Sequence, residues 1–225
     1  MELYPYQTDV IAEIEGLLDS VSRICLQAAT GSGKTIIAVE LIRRAVARRE
    51  RVLFIVHRLE LIEQTSRKLL AFGIRHGLIK AGFPMHLDER VQVASIQTLF
   101  ARAIRGKKIE LPRAQWVFID ETHHVRAMSY EAIVKAYPTA RVIGLTATPC
   151  RADGRGLGNV FQALVQCPDV AELTSLGYLV PAKVFAPVRP DLRGLRVQRG
   201  DYVEGARVSG SLSHLTENFS VLWLC

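Results

Sequence analysis

The sequence predicts an α/β fold in which a mostly parallel sheet is covered by helices on both faces. Short runs of apolar residues alternate with longer segments that have helical periodicity. Strands that are apolar throughout are typical of parallel sheets, because helices cover both faces of such strands. Polar residues follow five of these runs, and ligands of parallel sheets bind at the carboxyl ends of the strands. The first run leads into a glycine-rich segment at residues 28–35, which leads in turn into a predicted helix.

Each element is predicted from a local pattern along the chain. Strands are predicted at apolar runs over 23–28, 52–56, 91–94, 116–119 and 142–145. Helices are predicted where apolar residues recur every three or four positions, over 35–48, 59–72, 96–104, 130–137 and 171–176. Pro138 and Gly177 end the last two of these helices. Residues 178–188 contain two prolines and are predicted to form an extended segment.

The composition is that of a soluble globular protein. The chain has 225 residues, of which 49% are hydrophobic and 23% are charged. It contains no run of apolar residues long enough to span a membrane, and its first residues lack the pattern of a secretory signal. The four cysteines are scattered. They suggest neither a zinc site nor a disulfide framework, so a cytoplasmic location is expected.

An excess of basic residues gives the chain a formal net charge of +7. Arginines cluster at positions 43–44 and 48–51, and a third basic cluster lies between Arg102 and Lys108. Such an excess suits an anionic partner, of which nucleic acid is the commonest. From charge alone, a solvated basic face is an equal alternative. The first two clusters also lie at the end of a predicted helix, where the helix dipole favours cations.

The glycine-rich segment at residues 28–35 has the sequence context of a phosphate-binding loop. Gly31 and Gly33 let the backbone turn so that its N–H groups face phosphate oxygens, and the following helix adds the positive end of its dipole. Lys34 is placed to reach the β- and γ-phosphates of a nucleotide, and Thr35 to hold Mg²⁺. The first glycine of the usual pattern is an alanine here. The alternative is an ordinary turn of small residues between a strand and a helix.

A pair of acidic residues, Asp120 and Glu121, follows the strand predicted over 116–119. An aspartate at this point can hold the Mg²⁺ of a nucleotide bound on the glycine-rich loop. The neighbouring glutamate can orient and deprotonate an attacking water. Alone, the pair would be interpreted as the start of a helix; together with the loop, it predicts a hydrolysis site. His123 and His124 lack a third ligand at a suitable spacing, so zinc is not expected here.

Six short motifs, taken in order, resemble those of the first motor domain of superfamily-two helicases and translocases. The resemblance covers residues 3–188 and is nearest to bacterial and phage DEAD/DEAH-like proteins similar to type III restriction translocase subunits. It implies a RecA-like P-loop domain that binds ATP and Mg²⁺. The matching segments are Leu3–Gln7 (Q motif), Ala29–Thr35 (motif I), Ile55–Leu61 (motif Ia), Ala94–Leu99 (motif Ic), Asp120–His123 (motif II) and Gly144–Pro149 (motif III).

The resemblance implies a role for each matching residue. For nucleotide binding these are Gln7, which would contact the adenine edge, with Thr30, Gly31, Ser32, Gly33, Lys34 and Thr35. The implied catalytic residues are Lys34, Asp120 and Glu121, and the implied Mg²⁺ ligands are Thr35 and Asp120. Contacts to a nucleic-acid backbone are implied for Arg58, Ser95, Gln97 and Thr98, and coupling of nucleotide state to strand contact for His123, Thr146 and Thr148. Taken singly, Ser95 is better explained as a helix cap and Arg58 as a surface arginine.

The resemblance also implies a domain organisation and a function. Residues 1–180 are expected to form the ATP-binding domain, and residues 181–225 a linker and the truncated start of a second motor domain. The predicted function is the ATP-binding half of a helicase or translocase acting on nucleic acid, with DNA favoured, in a bacterial or phage-like setting. Without a second motor domain, this chain is expected to hydrolyse ATP very slowly.

Two other functions stay open at this point. One is a truncated module that binds nucleotide or nucleic acid without catalysis. The other is a P-loop ATPase or kinase of a different kind. Gln7 and the Thr146–Thr148 segment argue against the second alternative, because a small-molecule kinase has no use for either.

Overall fold

The fold is described from a computed structural model, which covers residues 3–57, 59–82, 86–122, 127–149, 157–181, 197–198 and 201–202. The chain divides into two compact units, residues 1–179 and 180–225. In the second unit, the described residues form a short antiparallel pair, β8 (Val197–Gln198) with β9 (Asp201–Tyr202). Among the residues covered, no helix combines the length and the apolar character needed to cross a membrane.

The first unit alternates helices and strands, as predicted. The helices are α1 (Pro5–Leu17), α2 (Lys34–Ala47), α3 (Leu59–Ala71), α4 (Ile96–Leu99), α5 (Ala127–Ala136) and α6 (Val170–Ser175). The strands are β1 (Arg23–Gln27), β2 (Val52–Val56), β3 (His76–Ile79), β4 (Val91–Ser95), β5 (Trp116–Asp120), β6 (Arg141–Thr146) and β7 (Ala163–Gln166). A π-helical turn at Phe100–Arg105 continues α4, and a 3₁₀ turn spans Leu157–Asn159.

The seven strands form one sheet in the order β3-β4-β2-β5-β6-β1-β7, and every neighbouring pair is parallel. The predicted α/β class with a parallel sheet is therefore confirmed. Because all strands run the same way, their carboxyl ends lie along one edge, which collects the loops after β1, β2, β4, β5 and β6.

Among the helices and the strands of the seven-stranded sheet, α1, β3 and β7 were not predicted from the sequence. The helix α1 covers a segment interpreted only as a motif, and its buried residues Val10, Ile11 and Ile14 have helical spacing. The strands β3 and β7 are four residues long, and each exposes part of its residues to solvent. Short edge strands lack the continuous apolar run from which the central strands were predicted.

The core lies on both faces of the sheet because side chains alternate along each strand. In β2, which is buried throughout, Phe54 packs in the cluster that contains α1, α2 and α3. Leu53 and Ile55 pack in the cluster on the opposite face. Both faces are therefore covered, as expected for strands that are apolar at every position.

An ion-pair network accounts for part of the arginine clusters. Glu40, which is buried in α2, accepts hydrogen bonds from Arg43 Nε at 2.7 Å and from Arg44 Nε at 2.9 Å. The bond from Arg43, followed by that from Arg44, lowers the pKa of Glu40 to about 2 although burial opposes this. These arginines therefore serve the fold, and a nucleic-acid partner is not needed to explain them. The network extends to Glu15, Arg48, Glu50, Arg141 and the indole of Trp116.

Candidate functional site

The glycine-rich loop joins β1 to α2 and has two residues with left-handed backbone angles. Gly31 has a φ of 87° and Gly33 a φ of 78°, a conformation that side chains rarely allow. Ser32 Oγ donates to the carbonyl of Ala29 at 2.7 Å, which closes the turn from within. The helix α2 begins directly afterwards at Lys34. The loop thus ends at a helix N-terminus, where unpaired N–H groups favour an anion.

The acidic pair lies at the carboxyl end of β5. Asp120 is the last residue of the strand, and its Oδ1 accepts a hydrogen bond from the backbone N of Glu121 at 3.0 Å. Glu121 has a φ of 51°, an uncommon value for a residue with a side chain. Its Oε1 lies 3.5 Å from Lys34 Nζ, so the lysine of the loop and the acidic pair share one site. Backbone strain of this kind is found most often at functional positions.

Burial raises the pKa of the Asp120 carboxyl to about 6, and the neighbouring charge of Glu121 adds to the rise. The ammonium groups of Lys34 and Lys68 act in the opposite direction. The carboxyl is thus held in surroundings that favour its neutral form unless a further cation is present. A divalent cation would supply the missing positive charge.

The oxygen donors around the loop suit Mg²⁺. The hydroxyl of Thr35 and the carboxylate of Asp120 are hard ligands, and Mg²⁺ commonly takes few protein ligands together with phosphate oxygens. Lys68 Nζ, from α3, donates to Thr35 Oγ1 at 3.3 Å. Lys68 therefore bonds to Thr35 and also acts electrostatically on Asp120.

The Q-motif residues are attached to the glycine-rich loop. Gln7 is buried, its Oε1 accepts from the backbone N of Tyr4 at 3.1 Å, and its Nε2 donates to Tyr6 Oη at 3.3 Å. Tyr6 Oη donates to the carbonyl of Ser32 at 2.8 Å. A Cβ added to Gly33 would lie 2.4 Å from Gln7 Nε2. The position of Gln7 thus depends on the loop; its contact with adenine stays a prediction.

The residues predicted to contact nucleic acid form hydrogen bonds within the protein. Ser95 Oγ donates to Gln97 Oε1 at 2.7 Å and accepts from Thr98 N at 3.4 Å. Gln97 Nε2 donates to the carbonyl of His57 at 2.7 Å, which joins the ends of β2 and β4. Ser95 and Thr98 are buried, whereas Gln97 is exposed. Arg58 lies outside the described residues, and the role of all four stays a prediction.

The candidate coupling residues lie at the end of β6, next to β1. Thr146 is buried; its Oγ1 donates to the carbonyl of Thr148 at 2.8 Å and accepts from Thr148 N at 3.1 Å. The carbonyl of Thr146 accepts from Ala28 N at 2.9 Å, at the start of the glycine-rich loop. A shift of the glycine-rich loop would therefore be transmitted to the Thr146–Thr148 turn through this hydrogen bond. His123 lies outside the described residues.

Residues 1–151 match the family described as "Type III restriction enzyme, res subunit". The match covers more than half of the chain. The chain belongs to this family.

Individual relatives agree with the res-subunit assignment. The putative ATP-dependent helicase IRC3 of Saccharomyces cerevisiae is 31% identical over 221 residues, covering 89% of this chain and 31% of the helicase. The UvsW helicase of bacteriophage T4 superposes with a TM-score of 0.60 at 20% identity, covering 74% of this chain and 60% of UvsW. The type ISP restriction-modification enzyme LlaGI, solved with a DNA substrate mimic, superposes with a TM-score of 0.61 at 16% identity, covering 79% and 21%.

These comparisons confirm the predicted resemblance to the first motor domain of superfamily-two helicases and translocases, and with it the RecA-like fold. The chain is a helicase-type module of the res-subunit family. It spans about a third of the length of the curated relatives that it matches.

Two contacts of this res-subunit domain had no signal in the sequence. Lys68 lies on an amphipathic helix, where an exposed lysine is ordinary. Tyr178 follows α6 and packs against Tyr4, with 4.6 Å between ring centroids. Both contacts join segments that are far apart in the sequence, so a local pattern could not have identified them.

The glycine at position 33 provides a test of the loop geometry. We expect Gly33→Ala to lower the free energy of unfolding by about 2–3 kcal/mol. The backbone of alanine is strained at this φ, and the new Cβ would displace the buried amide of Gln7 from its hydrogen bonds. Gly73→Ala is the matched control, since Gly73 has a φ of 70° but open space around an added Cβ. We expect it to cost only about 1 kcal/mol in urea unfolding. Equal losses in the two variants would contradict the packing of Gln7 on the loop.

Proposed function

We propose that this chain is the ATP-binding half of an ATP-dependent helicase or translocase that acts on nucleic acid, most naturally DNA. The contact between Lys34 Nζ and Glu121 Oε1 at 3.5 Å carries the proposal. It brings a phosphate-binding lysine beside two carboxylates, which is the arrangement that metal-assisted hydrolysis of a triphosphate requires.

The residues of the site would act in sequence on a bound nucleotide. The N–H groups of the loop and of the start of α2 would bind the phosphates, and Lys34 would leave Glu121 for the β- and γ-phosphates. Thr35 and Asp120 would hold Mg²⁺, which when bound neutralises charge on the phosphate oxygens. Glu121, released from the lysine, would accept the proton of the attacking water.

The nucleic-acid part of the proposal is supported by charge and by family. The chain has a formal net charge of +7, and the structural relative LlaGI was solved with a DNA substrate mimic. In this proposal, residues 1–180 form the first motor domain, and residues 181–225 lead towards a second one that completes the site. Arg58 and Gln97 would contact the sugar-phosphate backbone of the nucleic acid without reading its base sequence.

Hydrolysis of ATP by the Glu121→Gln variant tests the proposal. The chain is placed in excess over radiolabelled ATP with Mg²⁺ and single-stranded DNA, so that even slow hydrolysis is measured. We expect Glu121→Gln to reduce the rate about 100-fold, as for the loss of a general base. Glu131→Gln, which changes an exposed glutamate of α5, is the matched control and should retain the rate. If the unchanged chain, Glu121→Gln and the control variant all hydrolyse ATP at the same residual rate, the alternative of a binding module without catalysis is favoured.

A further inference from the structure

Lys68 contacts a residue of the candidate metal site from a neighbouring helix. It lies in the last turn of α3, is exposed, and donates from Nζ to Thr35 Oγ1 at 3.3 Å. The helices α2 and α3 pack in the same core cluster, in which Leu69, next to Lys68, is fully buried. The backbone that carries Lys68 is therefore fixed beside the glycine-rich loop, although the residue itself is exposed to solvent.

The site contains two ammonium groups, and each bonds to a different polar side chain. Lys34 is paired with Glu121, whereas Lys68 is bonded to Thr35. Both lysines act electrostatically on the Asp120 carboxyl and lower its pKa. Among the described residues, Lys34, Lys68, Asp120 and Glu121 thus bring two positive and two negative charges to the site before any ligand enters.

The contact of Lys68 uses an oxygen that a metal ion would need. A hydroxyl that accepts a hydrogen bond from an ammonium group directs a lone pair at that group. A divalent cation bound by Thr35 and Asp120 would bind the same oxygen atom and would meet the repulsion of the nearby ammonium charge. An ammonium group and Mg²⁺ therefore compete for this position.

We propose that Lys68 is a displaceable counter-ion that holds the position of Mg²⁺ beside Thr35 and Asp120, so that Mg²⁺ enters together with ATP rather than ahead of it. The inference rests on the proposed function, because it assigns Lys68 to the same nucleotide site. The negative charge of the triphosphate offsets the two lysines, whereas a free metal ion meets their full repulsion. The long, flexible side chain of lysine lets the ammonium group withdraw when the metal arrives.

Binding of Mn²⁺ to the chain without nucleotide tests the inference. Mn²⁺ is the probe because the loss of its free-ion signal in electron paramagnetic resonance reports binding directly. We expect Lys68→Met to bind Mn²⁺ about 10-fold more tightly than the unchanged chain, since one like charge is removed from the site. Lys135→Met, which removes an exposed lysine from the last turn of α5, is the matched control and should leave Mn²⁺ affinity unchanged.

Two further variants separate the possible explanations. Lys68→Arg keeps the charge and should retain the weak Mn²⁺ binding, whereas Lys68→Met with Asp120→Asn should lose the gain. An equal Mn²⁺ affinity in Lys68→Met and in the unchanged chain would overturn the counter-ion role. That failure is distinct from failure of the proposed function, because binding of ATP–Mg²⁺ by the unchanged chain is measured separately.

Discussion

Replacing Lys34 with alanine is expected to weaken the binding of a fluorescent ATP analogue with Mg²⁺ by at least about 10-fold, which corresponds to about 1.5 kcal/mol. Lys34 Nζ lies at the start of α2 and within 3.5 Å of Glu121 Oε1, where it can transfer from the carboxylate to a phosphate oxygen. The variant loses this charge-assisted hydrogen bond and leaves the acidic pair to repel the triphosphate. Affinity is measured by fluorescence titration at constant Mg²⁺.

The control for this experiment is Lys135→Ala, which removes an equal charge from the end of α5. It should bind the analogue as the unchanged chain does, so that a general effect of net charge is excluded. Circular dichroism of Lys34→Ala should show retained secondary structure, because Lys34 is not part of the core clusters. An unchanged affinity in Lys34→Ala would remove the central assignment of this site.

Asp120→Asn is expected to stabilise the folded chain while it weakens binding of the metal–nucleotide complex. Burial and the charge of Glu121 raise the pKa of Asp120 to about 6, from an ordinary value of 3.8. Ionised Asp120 therefore costs the fold about 3 kcal/mol near neutral pH. Asparagine removes that cost and can still accept the hydrogen bond from Glu121 N through its side-chain oxygen. Urea unfolding at pH 7 measures the gain.

The pH dependence of the free energy of unfolding gives the sign of the Asp120 effect independently. Below about pH 4, Asp120 is protonated in both the folded and the unfolded chain, and it contributes no difference in stability. Between about pH 4 and 6, only the unfolded chain loses the proton of Asp120, so the contribution of Asp120 to stability falls as the pH rises. Asp120→Asn should lack this fall, and its advantage should be complete above pH 6.

The control for this experiment is Asp9→Asn, at an exposed position of α1. It should leave the free energy of unfolding nearly unchanged. A loss of stability in Asp120→Asn at pH 7 would show that the ionised carboxylate is compensated in the fold. Such an outcome would contradict the description of Asp120 as a group that awaits a cation.

Local patterns were sufficient for the central part of the fold. β2 and β5 were predicted within one residue because each is a continuous apolar run, buried almost throughout. The helix predicted over 96–104 is α-helical only to Leu99 and then becomes π-helical, a change that hydrophobic spacing does not reveal. The edge strand β7 escaped prediction because a short strand that is partly exposed lacks a distinctive pattern.

The candidate site was likewise predicted only in part. The loop with Lys34 and the pair Asp120–Glu121 were predicted from the sequence, since each motif is contiguous and follows a recognisable strand. The partners of Gln7 were not, because its contacts with Tyr6 and with the loop depend on how α1 packs.

By itself, the sequence determined the alternation of the central strands and helices, the parallel sheet and the two motifs that meet at its carboxyl edge. These properties follow from periodicity and from residue types that are adjacent in the chain. Only the tertiary structure decided that Lys68 contacts Thr35 and that Arg43 and Arg44 are bonded to Glu40. A long cationic side chain carries the same charge wherever it lies, and packing alone determines which acceptor it can reach.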